Sequence, residues 1–181
     1  MVSHSGSALA GVDSGPCRRV YWWAGVPALL AVAVFPALAT SLQGQGRRPV
    51  QVNGVRPVSF GTVFPGISKL VLRTDALNSG RFDIRAAAGS QLQLSFALPA
   101  AMTGPGGATM PLTFGGGDAG FSATQSVASQ VGFDPRVPFV ATMGGAPGRA
   151  AVFLGGTVAP LAVQPAGSYT GTITLTVVYF P

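Results

Sequence analysis

Apolar and polar residues alternate along the last stretch of the chain. Between Gly167 and Phe180, one face collects Tyr169, Ile173, Leu175, Val177 and Tyr179, and the other Thr170, Thr172, Thr174 and Thr176. A period of two is that of a strand buried on one side. The Pro165-Ala166-Gly167 turn launches it, so the pattern predicts a last strand that closes an antiparallel sheet.

Shorter runs of the same kind precede it. Strands are predicted over 50–55 and over 58–64, where alternation stops at Pro65-Gly66, a turn signal. Others follow over 69–73, over 81–85 with Phe82 and Ile84 on one face, and over 92–98, where Leu92, Leu94, Phe96 and Leu98 repeat cleanly. Residues 109–114 and 139–143 add two more, and the segment 121–132 has no clear pattern. Residues 149–158 are apolar on both faces, which predicts a central strand. Glycines at 155 and 156 inside that run imply a bulge, a close backbone approach or a side chain such as Tyr169 lying over them, with a ligand groove as the alternative. Tyr169 itself is a candidate for a corner tyrosine whose hydroxyl returns to the backbone.

About nine or ten short strands at this spacing predict an all-β fold, a two-sheet antiparallel sandwich, with no helical period anywhere between residues 50 and 181. Twenty-six glycines and fifteen prolines supply the turns.

The N-terminal part has a different character. Arg18-Arg19 precede an apolar run from Val20 to Leu38 that ends Pro36-Ala37-Leu38-Ala39. A positive region, an apolar core and a small-x-small site make residues 1–39 a secretory signal helix with cleavage expected after Ala39. The rival is an uncleaved anchor, since the run nearly reaches spanning length, and Gly25, Pro27 and Pro36 argue against a permanent helix. Residues 40–49 read as a flexible leader and 50–181 as the sandwich domain. The membrane is then met only through the signal segment, and the product is exported to the periplasm, cell surface or medium.

Removing the signal narrows the chemistry. The one cysteine, Cys17, and the one histidine, His4, lie before Ala39, and the chain has no glutamate. The acids left are Asp75, Asp83, Asp118 and Asp134. A disulfide, thiolate chemistry, a histidine-ligated metal and a Ser-His-Asp arrangement are all excluded from residues 40–181. No catalytic, cofactor-binding or metal-ligating residue is assigned, and no enzyme is expected. The formal charge of +6 is scattered without an aromatic-interleaved patch, so no nucleic-acid partner is expected either.

Three tempting motifs fare no better. Gly115-x-Gly117-x-x-Gly120 matches a dinucleotide fingerprint in letters only, because no strand–helix unit surrounds it. Asp118 and Asp134 are too isolated for calcium, which calls for several neighbouring oxygen ligands. Asp75 and Asp83 resemble a glycosidase pair only by type, and Asp83 between Arg81 and Arg85 reads as an exposed ion pair.

Taken together, several segments are similar to one family. The opening Val58-Ser59-Phe60-Gly61-Thr62-Val63, the Leu98-Pro99-x-x-Met102-Thr103-Gly104 segment, Val152-Phe153-Leu154-Gly155-Gly156-Thr157, and Ala166-Gly167-Ser168-Tyr169-Thr170-Gly171-Thr172 with its alternating end resemble the bacterial secreted domain family DUF4402. That resemblance covers about residues 50–180. The ending is also similar to the spore coat protein U and archaic chaperone–usher pilin group. The resemblance implies an exported, immunoglobulin-like sandwich and carries no catalytic residues with it.

The function expected is that of a secreted, non-enzymatic structural or adhesive surface protein, a fimbria-like subunit whose edge strands meet like subunits. The alternative is a monomeric module binding a glycan or small ligand through the Gly-rich loops at 104–120 and 144–148, with stacking left to Tyr or Phe because Trp22 and Trp23 precede Ala39. Against strand donation to a neighbour, residues 40–49 offer only Leu42 as a large apolar residue, and Val50 and Val52 are needed for the domain's own first strand.

Overall fold

Ile84, Leu92, Leu94, Val152 and Leu154 are fully shielded from solvent. All five come from the alternating or doubly apolar runs described above. In the computed structural model, which describes residues 48–181, they meet in one core between two sheets. The expected signal and most of the leader lie outside the described residues.

Twelve strands are present among the described residues: β1 (Gln51–Arg56), β2 (Lys69–Val71), β3 (Gly80–Arg85), β4 (Gln91–Ala97), β5 (Ala101–Thr103), β6 (Thr109–Thr113), β7 (Ala119–Ser122), β8 (Val131–Phe133), β9 (Phe139–Thr142), β10 (Arg149–Leu154), β11 (Gly156–Val158) and β12 (Thr174–Tyr179). They form three antiparallel ladders, in the orders β1-β3-β10-β7-β8, β2-β11-β6-β5 and β12-β4-β9. The fold is all-β and consistent with a sandwich, as expected, with more strands than expected and three ladders in place of two.

The main core joins the first ladder to the third. Ile84, Ala119, Phe121, Phe133, Ala150, Val152 and Leu154 face Leu92, Leu94 and Ala141. Four phenylalanines run through this layer. Phe82 meets Phe96 edge-on at 5.9 Å, Phe96 meets Phe133 at 6.4 Å, and Phe133 stacks on Phe139 at 4.2 Å. Such pairs add to the area they bury, by roughly 0.5–1.5 kcal/mol each. A smaller core of Met110, Leu112 and Val158 lies under the second ladder, with Phe60, Val63, Met102 and Tyr169 packed against it.

β10 is central, paired with β3 on one side and β7 on the other, and Ala150 to Leu154 are all buried. The apolar run 149–158 does not stay in one sheet. At Gly155 the chain leaves the first ladder and β11 joins the second. The glycine permits it: a Cβ there would run into the carbonyl oxygen of Val71 and lie 2.8 Å from the Arg73 nitrogen. This is the close backbone approach that a glycine in a strand implies.

Two strand expectations need correction. Residues 58–64 form no strand; Val58 and Phe60 turn inward from an irregular segment anchored by a hydrogen bond from Ser59 N to Asn78 O (2.9 Å). The closing strand begins at Thr174, not near Tyr169. Thr170 makes an isolated bridge to Thr103, which pulls the chain toward β5 before it turns along β4.

Candidate functional site

β12 is paired with β4 alone, and its other edge has no strand beside it among the described residues. Phe180 N donates to Gln91 O (2.9 Å), which fixes the parity of the strand. Thr174, Thr176 and Val178 aim their backbone groups at β4, so Leu175 and Val177 aim theirs at the open edge. The side chains of Leu175 and Val177 turn inward onto the core but stay half-exposed, while Thr174, Thr176 and Val178 face solvent.

The outer edge of β1 likewise has no strand beside it among the described residues, and Gln51 to Val55 are exposed. Between the end of β1 and the segment leading into β12 lies a cleft of about 430 Å³, lined by Gly54, Val55, Val58, Phe82, Thr172 and Ile173 among others. Past Pro57 and Val58 it adjoins a second cleft of about 650 Å³ beside Phe60, Val63, Met102, Met110 and Tyr169. At the other end the seam is closed by Tyr179, whose hydroxyl accepts from Ala87 N (3.0 Å) and donates to the Arg48 carbonyl.

Tyr169 returns to the backbone as expected of a corner tyrosine. Its hydroxyl donates to Pro165 O (2.8 Å) and accepts from Gln164 Nε2 (2.7 Å). Its ring lies over Gly104 and not over Gly155 or Gly156, which sit against the β2 backbone and Phe114. Nothing local marks Gly104 as the partner, because it lies in a separate loop.

The glycine-rich stretch at 115–120 seats an arginine. Arg73 Nη1 donates to Gly117 O (2.5 Å), and a Cβ on Gly120 or Gly132 would lie 2.9 Å from the Arg73 side chain. Gly120 belongs to β7, so the stretch feeds a strand and offers no helix N-terminus to a phosphate. Sequence reasoning missed Arg73, which lies 44 residues from its glycine partner.

The carboxylates are each engaged separately. Asp118 Oδ2 accepts from Gly115 N (2.6 Å) and its carbonyl accepts from Gly155 N (2.8 Å). Asp134 takes both Nε and Nη2 of Arg136, at 2.9 and 2.8 Å. The Arg136 side chain, then its backbone N–H, hold the Asp134 pKa down to about 2. Asp75 caps the turn at Leu77 and Asn78, and the Asn78 side-chain amide, with those two N–H groups, lowers its pKa. Asp83 pairs with Arg81 at 2.7 Å. No group of three ligand-type residues converges among the described residues.

The family model described as "Domain of unknown function (DUF4402)" matches residues 39–179. The chain belongs to the DUF4402 family. No curated protein and no solved structure matches it. The DUF4402 match takes in all twelve strands, including both edges of the seam and the Tyr169 corner.

Proposed function

We propose that this DUF4402 chain is an exported, non-enzymatic structural or adhesive surface component that works by associating with like subunits through its sheet edges. The observation that carries the reading is β12, whose outer edge has no strand beside it among the described residues and whose sequence, Thr-Leu-Thr-Val-Val-Tyr, has no charge, proline or glycine. An unguarded edge of this kind is a template for a further strand. The expected signal at residues 1–39 supports export, and the carboxylates, each held by its own turn or arginine, support a role without catalysis.

The test is the mass of the exported native protein in solution, by light scattering behind a sizing column over a hundredfold range of concentration. Masses at multiples of the monomer are expected. A monomer at every concentration would sink the proposal and move the search to ligands of the two clefts.

A further inference from the structure

The three ladders have six edges among the described residues, and five of them are blunted. β2, β5 and β8 have three residues each, and β9 has four. β1 is longer, but its pairing with β3 shifts register between Gly54 and Arg56. The Arg56 guanidinium at its end is tied to Ser79 O at 2.7 Å. Short strands and bulges are ordinary means of keeping an edge from pairing. β12 matches β1 at six residues, but among these edges it alone adds an unbroken register, with β4 from Thr174 to Tyr179, and carries no charge.

Resting on the structural-subunit reading above, we infer that the occupant of this edge is β12 of a second copy, paired antiparallel about a two-fold axis. The parity of the strand selects the register. Leu175 and Val177 offer their backbone groups outward, and two such strands related by a two-fold at Thr176 place Leu175 opposite Val177 of the partner subunit as a hydrogen-bonded pair. Thr176 then faces its own copy across the axis, and Thr174 faces Val178 of the partner subunit. Threonine–threonine and threonine–valine neighbours suit an exposed sheet face, and no like charges meet. The third ladder becomes one continuous sheet of twice its strand number, β9-β4-β12 running into β12-β4-β9. The half-exposed row of Leu175 and Val177 gains a neighbouring strand on its open side. A two-fold contact of this kind closes on itself and gives a dimer, where a head-to-tail contact would give a fibre.

The axis residue provides the test. Thr176 is exposed, and its partner position is a non-hydrogen-bonded pair, where Cα atoms approach to about 4.5 Å and a disulfide fits. In full-length protein carrying Cys17→Ser, Thr176→Cys is expected to form a reducible dimer under mild oxidation. Mixing Thr174→Cys with Val178→Cys is expected to cross-link, while Thr174→Cys alone is not. Thr176→Lys should raise the dimer dissociation constant roughly fivefold or more, since like charges then meet on the axis. Oligomers by light scattering that Thr176→Cys fails to trap would overturn this contact and leave the structural-subunit reading standing. A monomer at all concentrations would overturn both.

Discussion

The ring of Tyr169 fills the space that a Cβ on Gly104 would need. The same tyrosine holds the Pro165 carbonyl through its hydroxyl, so one side chain joins the turn before the last segment to the loop after β5. With the Thr103–Thr170 bridge beside it, this contact sets where the chain stops following β5 and starts toward β12.

Gly104→Ala should therefore displace the ring and cost about 1–3 kcal/mol, as overpacking does. Tyr169→Phe keeps the ring and loses the hydroxyl bonds, at about 1 kcal/mol. Urea unfolding of Gly104→Ala, Tyr169→Phe, Tyr169→Ala and Gly104→Ala with Tyr169→Ala checks the coupling. The double variant should cost clearly less than the sum of Gly104→Ala and Tyr169→Ala measured singly, because without the ring the added methyl loses the three atoms nearest to it.

Gly155 offers no such relief. The atoms a Cβ would meet there belong to the backbone of Val71, Leu72 and Arg73, which cannot rotate away. Gly155→Ala should cost at least about 2 kcal/mol. Gly89 is the control. Its φ is +70° and nothing lies within 4 Å, so Gly89→Ala should lose only the backbone preference, about 1–2 kcal/mol. Thermal unfolding that ranks the two the other way would show that the strand crossing at Gly155 is looser than described.

Gly120 lies between these cases. A methyl there meets the flexible Arg73 side chain and the end of Gln130. Gly120→Ala should cost about 2 kcal/mol, and combining it with Gln130→Ala and Arg73→Ala should remove most of the added penalty. Equal penalties with and without those two side chains would mean that the glycine answers to something else.

Acid should weaken the fold from the carboxylate side. The pKa of Asp134 is lowered to about 2 by Arg136, and that of Asp75 is lowered by Asn78 and Leu77. A depressed folded-state pKa gives stability that is fully present above the unfolded value of about 3.9 and is lost as pH falls through the folded value. Between pH 5 and 8 these two groups should leave the urea midpoint flat. Below pH 4 it should fall, and Asp134→Asn should fall less steeply. Carboxyl carbon titration by NMR should place the Asp134 midpoint near 2; a midpoint near 4 would mean that the pair with Arg136 does not hold in solution.

Much of the fold was legible because alternation is a local property. β3, β4, β6 and β9 fall within a residue or two of the runs that predict them, and the doubly apolar run 149–154 is the buried central strand β10. Residues 58–64 also alternate, yet among the described residues no strand pairs with them, and residues 58–63 line a cleft instead. Tyr169 shares the parity of Ile173 and Leu175 in the sequence, but the bridge at Thr170 breaks the strand between them.

The sequence by itself determined the class: short period-two runs and abundant turn residues make an all-β domain, and beyond residue 39 its only acid type is aspartate and it carries no histidine or cysteine. Only the tertiary structure decided which strands stand at the sheet edges among the described residues, that Gly155 passes one sheet to another, and that Arg73 and Tyr169 rest on glycines far from them in the chain. The physical reason is range. Periodicity and turn chemistry act over a few residues, whereas strand order and glycine-mediated close approach join segments that come together only when the sheets pack.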